Sequence, residues 1–142
     1  MQTHHKISVK TIVDAPFDKV WDALTKPDLV KQYFFGTELL TDWTVGGPIV
    51  FQGEWEGQAY KDSGEVLEYE HNRKLAYSYL STWSGKEDKP ENYLWVSYEV
   101  KPGGNKTEVT IQQSNYDVER AKHSEESWST MLEALKKTVE QM

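Results

Sequence analysis

The chain has 142 residues, 16 Lys and Arg against 23 Asp and Glu, a formal charge of -7 and no cysteine. That length builds a hydrophobic core without staples, and the missing thiol excludes disulfides, thiolate metal sites and a cysteine nucleophile, which makes a reducing compartment the simpler setting. The acidic balance opposes a nucleic-acid backbone, no stretch reaches the roughly 18 apolar residues of a membrane span, and the opening Met1-Gln-Thr-His-His-Lys6 lacks the apolar core of a signal peptide. We expect one cytoplasmic domain spanning 1–142, with no nucleic-acid partner.

Lys6 to Val13 alternates, with Ile7, Val9, Thr11 and Val13 in one phase, and predicts a strand with one buried face. Asp14-Ala-Pro16 then offers a capping residue and an early-turn proline. Phe17, Val20, Trp21 and Leu24 recur at helical spacing until Pro27, and Asp28 to Tyr33 predicts a second short helix. From Thr37 the pattern becomes strand-like. Gly46-Gly47-Pro48 marks a turn, and strands are predicted at Ile49–Trp55, Gly64–Tyr69, Leu75–Leu80, Tyr93–Val100 and Thr107–Asn115. Ser84 to Asn92 is a polar loop and Lys101 to Lys106 a turn. Consecutive hairpins imply an antiparallel sheet.

The last segment changes period. Trp128, Met131, Leu132, Leu135 and Val139 fall on one helical face, with Glu133, Lys136, Lys137 and Glu140 on the other. A helix of about five turns, roughly 27 Å long, is long enough to lie across such a sheet. The class is therefore α+β: six or seven strands, two short helices after the first, and one long C-terminal helix.

Strand order and particular residues resemble the START-related helix-grip (SRPBCC) superfamily, and within it the branch of the activator of heat-shock-protein-90 ATPase. The residues that carry the resemblance are Ala15-Pro16-Phe17-Asp-Lys-Val20-Trp21-Asp-Ala-Leu24, Gly46-Gly47-Pro48 after Thr41-Asp42-Trp43, and Gly64-Glu65-Val66-Leu67-Glu68 followed by Arg73-Lys74-Leu75. Lys106-Thr107-Glu-Val109-Thr-Ile111 and Trp128-Ser-Thr-Met131-Leu132-Glu-Ala-Leu135 continue it to the end of the chain. The resemblance implies a helix-grip fold with a cavity between a curved sheet and the C-terminal helix. It implies as partner a small apolar or aromatic ligand or, taking the family's name literally, a chaperone whose ATPase is stimulated. A cyclase or hydratase using the same cavity is a third possibility that this fold accommodates.

Six Trp, eight Tyr and four Phe agree with a cavity, because buried Tyr and Trp bring both an apolar body and a polar handle. Aromatics also simply fill cores, and spacing does not separate the two uses. Phase selects candidates: Phe51 and Trp55 share a face with Ile49, Tyr77 and Tyr79 with Leu75, and Tyr98 with Val96 and Val100. Trp95 falls in the opposite phase. Val109 and Ile111 place Gln113 in their inward phase, a candidate polar group in an apolar wall unless the strand leaves the core before position 113. Trp128, Met131, Leu132 and Leu135 are expected to form the roof.

Chemistry is harder to find. His4 and His5 lie near the terminus, His71 in a turn, and His123 in a polar stretch with no second histidine at metal-ligand spacing. Glu54, Glu56, Glu65 and Glu68 are the candidates for a general base, with Glu54 and Glu56 expected on one strand face, but they read more simply as the solvated face of a strand. No catalytic residue, cofactor or metal is expected, and the chain is expected to be a monomer or a weak homodimer.

Overall fold

A single antiparallel sheet of seven strands runs through the computed structural model, which describes residues 1–142. In chain order the elements are β1 (Ile7–Val13), α1 (Phe17–Thr25), α2 (Pro27–Tyr33), β2 (Glu38–Leu40), β3 (Pro48–Trp55), β4 (Gln58–Glu70), β5 (Lys74–Tyr79), β6 (Leu94–Gly103), β7 (Lys106–Gln113) and α3 (Val118–Glu140). The sheet order is β1-β7-β6-β5-β4-β3-β2, so a meander closes by bringing its last strand back beside its first. This is the helix-grip arrangement: a curved sheet, two short helices after β1 and a long helix at the end.

Local chemistry places the breaks. Lys26 takes an extended conformation because Pro27 follows it, and it serves at once as the end of α1 and the cap of α2, with Pro27 at the first helical position. Asp14 does not cap α1. Pro16 holds that position without a side-chain bond, and the Asp14 N–H instead donates to the Glu140 carboxylate at 2.8 Å. Glu56 and Gly57 both have positive φ, the two-residue turn that fits the twist of a hairpin, so Glu56 is a turn residue and does not share a strand with Glu54.

Three boundaries differ from the sequence reading. β2 is only three residues long, too short for its alternation to register, and pairs Leu39 with Phe51. β4 begins at Gln58, because residues 58–61 form a mostly exposed ribbon with β3 that has no apolar face to announce it. α3 begins at Val118 and has 23 residues, about 34 Å by the usual rise. Asp117 caps it by accepting the Arg120 N–H at 2.7 Å, and its first two turns bury only Ala121, which hides the apolar period until Trp128.

The helices cover one face of the sheet. Val20, Trp21 and Leu24 of α1 join Leu75, Val109, Ile111, Leu132, Leu135 and Val139 in one buried cluster. At the far end of α3, Glu140 accepts from Lys136 at 2.9 Å as well as from Asp14, and Lys136 donates to the Ile12 carbonyl at 2.6 Å. These bonds tie the end of the helix to the end of β1.

Candidate functional site

Helix and sheet meet tightly only over half their length. Under the N-terminal half of α3 they enclose a cavity of about 430 Å³, within the usual range for small-molecule sites. Its floor is Phe51 of β3, Tyr77 and Tyr79 of β5, Leu94 and Val96 of β6 and Gln113 of β7. Its roof is the face of α3 from Arg120 through His123, Ser124, Ser127 and Trp128 to Met131. Phe34 and Phe35, at the end of α2, close one side. Ser81, Trp83 and Ser84 from the β5–β6 connection, with Asn115 and Tyr116 from the β7–α3 connection, complete the wall.

Six of the ten residues expected from phase therefore meet here: Phe51, Tyr77, Tyr79, Gln113, Trp128 and Met131. Four do not line the wall. Trp55 has the right phase, but β3 has by then run past the helices; the side chain is 48 % exposed and rests edge-on against Phe35 at 5.5 Å. Tyr98 lies one layer deeper, sharing a 2.7 Å hydroxyl contact with Tyr77 and packing edge-on against Trp128 at 5.8 Å. Leu132 and Leu135 sit further along α3, where helix and sheet are in solid contact. Trp95 lies on the other face, with the Lys6 ammonium 4.7 Å from its ring.

Aromatic edges and faces fix the interior. Phe34 stacks on Phe51 at 6.0 Å and meets Trp128 at 6.2 Å, while Phe51 meets Tyr77 at 5.5 Å and Tyr79 at 5.9 Å. Polar atoms are paired within the wall. The Trp128 indole N–H donates to Gln113 Oε1 at 2.5 Å, and the Asn115 amide donates to Ser124 Oγ at 3.0 Å. The Tyr79 hydroxyl donates to Asp62 at 2.5 Å, and Asp62 also accepts the Thr82 N–H at 2.7 Å. No buried side-chain nitrogen or oxygen is left without a partner.

Burial pushes the phenols of Tyr33, Tyr77, Tyr79 and Tyr98 up, with the Asp62 carboxylate adding to the effect at Tyr79. At neutral pH all four are protonated and serve as hydrogen-bonding groups. Because the folded values are raised, the stability these phenols contribute is complete below about pH 10, the ordinary phenol value, and is lost as pH rises beyond it. An alkaline titration followed at 295 nm should show at least four of the eight tyrosines ionising only together with cooperative unfolding; non-cooperative ionisation of all eight near pH 10, with the circular dichroism unchanged, would contradict the burial.

Phase alone missed Phe34, Phe35, Asn115, Tyr116, Arg120 and His123. Two signals were present. Gly36, at positive φ after Phe34-Phe35, marks the helix end that sets these two rings at the cavity's edge, Phe35 still 57 % exposed, and Asp117 followed by Glu119 is a helix start. Moving the start of α3 back to Val118 is what carries Arg120 and His123 over the cavity.

A curved antiparallel sheet gripping a helix over a partly apolar cavity defines the helix-grip class of ligand-binding folds. Within that class the chain belongs to the family described as activator of Hsp90 ATPase homolog 1-like protein, whose model matches residues 14–140. A solution structure from Cytophaga hutchinsonii is 42% identical, with 99% of this chain and 97% of that one covered and a TM-score of 0.83. CalU16 from Micromonospora echinospora is 25% identical over 94% of this chain and 75% of its own, with a TM-score of 0.76. The Aha1 dimer from Colwellia psychrerythraea shares the fold at 19% identity, covering 95% and 96%, with a TM-score of 0.73. No curated protein matches the chain.

Proposed function

We propose that this protein binds a small, largely apolar or aromatic molecule in the cavity beneath the N-terminal half of α3, and that it holds the molecule without converting it. The observation that carries this reading is a cavity of about 430 Å³ whose interior is built from Phe34, Phe51, Tyr77, Val96, Trp128 and Met131. Apolar enclosure with few orienting polar groups is what such ligands require. No carboxylate lines the cavity, and the lining phenols of Tyr77, Tyr79 and Tyr116 are engaged with Tyr98, Asp62 and the Asn92 carbonyl, so the wall favours binding over acid–base chemistry, with His123 as its one imidazole. A chaperone-activating role has only the family's description behind it. No helix is long and apolar enough to cross a membrane, and a cytoplasmic monomer or weak dimer completes the proposal.

Sterols, fatty acids and flavonoids screened by thermal shift test the reading. A ligand at about a hundredfold its Kd should add roughly 2.7 kcal/mol of stability. A saturable shift accompanied by a change in tryptophan fluorescence supports binding. No shift from any class, with no molecule co-purifying in native mass spectrometry, would remove the basis for it.

A further inference from the structure

The polar groups of the cavity are not spread around its wall. They gather where the first two turns of α3 face the connections that precede β6 and α3, and the one fixed charge among them is the Arg120 guanidinium. Arg120 and His123 face the cavity, and no Asp or Glu does, although the chain carries 23 acids against 16 cations. Tyr116 organises this end. Its hydroxyl donates to the Asn92 carbonyl at 2.6 Å, and its ring has the Arg120 guanidinium carbon 5.1 Å from the centroid and the Lys86 ammonium at 5.2 Å. Two cations are thus held on the Tyr116 ring, and one of them, Arg120, belongs to the cavity wall.

Arg120 is incompletely paired. Its Nε lies 3.7 Å from Asp117, whose other oxygen caps the helix, and neither of its Nη atoms donates a hydrogen bond within the chain. A neutral apolar molecule filling the cavity would strip water from this guanidinium and return nothing to it. A carboxylate or sulfonate would accept both Nη hydrogens, the forked geometry in which arginine binds planar and tetrahedral oxyanions best.

Resting on the reading of this cavity as a ligand site, we infer that its ligand is an amphipathic anion. The acidic group sits against Arg120, and the apolar body lies among Phe34, Phe51 and Trp128. Long-range charge works against this preference, since the protein carries a net -7. Any selectivity for an anion must therefore come from the local groups.

A matched pair of fluorescent probes decides it: 8-anilinonaphthalene-1-sulfonate and its uncharged parent N-phenyl-1-naphthylamine, titrated into the full chain at fixed ionic strength. The sulfonate should bind roughly ten-fold or more tightly than the parent, the lower end expected for charge-assisted bonds at a half-exposed arginine. Arg120→Ala should weaken the sulfonate by about the same factor and the parent by less than about two-fold, while Arg120→Lys recovers part of the loss. Arg120 is half-exposed and its capping bond uses backbone N–H, so these variants keep the fold. Equal affinities for the two probes, or an Arg120→Ala effect that is the same for both, overturn the anionic preference and leave the cavity reading standing. If neither probe binds, both fall together.

Discussion

Trp128→Ala should weaken binding of an aromatic ligand by roughly ten- to a hundred-fold, beyond what it does to the fold. The indole is 9 % exposed, spans the roof between Phe34 and Tyr98, and is locked by its N–H to Gln113. Truncation removes the largest apolar surface of the roof and leaves Gln113 Oε1 without its donor. It should also destabilise the protein by about 3–5 kcal/mol, so affinity has to be measured where the variant remains folded. Trp128→Phe narrows the comparison: it keeps one aromatic ring while losing the N–H donor and part of the indole's volume, with about 1–3 kcal/mol for the orphaned amide oxygen. Leu135→Ala is the counterpart. It empties a fully buried site outside the cavity wall, so it should cost about 2–5 kcal/mol of stability and change affinity by less than about two-fold. Equal loss of affinity in Trp128→Ala and Leu135→Ala, at equal stability, would mean that binding reports only the integrity of the fold.

Gly64→Ala should be the most damaging single-methyl change in the sheet. A Cβ placed there would lie 1.6 Å from the Ser78 carbonyl oxygen and 2.5 Å from its carbon, both backbone atoms that no side-chain rotation can move aside. Around this point β4 and β5 are held by unusual means: Ser63 and Leu80 exchange two backbone bonds, and the Glu65 N–H turns to the Ser78 hydroxyl at 3.0 Å. Relief requires the strands to separate. That separation would shift Tyr77 and Tyr79, and with them the cavity floor. We expect a cost on the order of 3 kcal/mol or more, roughly a 10 °C fall in Tm for a chain of this size. Gly85→Ala, where nothing lies within 4 Å, provides the contrast: its φ of +76° carries backbone strain alone, and its effect should be about 1 kcal/mol. Similar melts for the two variants would show that the close approach of β4 to Ser78 is not as drawn.

Much of the fold is legible in the sequence because strand and helix periods are set by which face is buried, and here most faces are. Val109 and Ile111 place Gln113 inward by period alone, and the structure has it there, 7 % exposed. Trp55 shows where period stops being informative. Its phase matches Ile49 and Phe51, but alternation does not say how far the covering helices extend. Leu132 and Leu135 fail as pocket residues for the complementary reason: one apolar stripe on α3 roofs a cavity along one half and packs solidly along the other. Arg120 and His123 are illegible to hydrophobic patterning altogether. They lie on polar turns whose helical state is declared only by Asp117, and their side chains matter through what they face across the fold.

The most direct test of the cavity as a binding site uses the six indole N–H groups as fixed reporters in a 1H–15N spectrum during titration with N-phenyl-1-naphthylamine. Trp128 and Trp83 belong to the wall; Trp21 bonds to Tyr69, Trp43 to the Thr25 carbonyl, Trp55 rests outside on Phe35, and Trp95 lies on the opposite face. Saturable shifts of the Trp128 and Trp83 indoles are expected, with Trp21, Trp43 and Trp95 unmoved. Shifts confined to Trp55, or spread evenly over all six, would place the probe on the surface and contradict binding in the cavity.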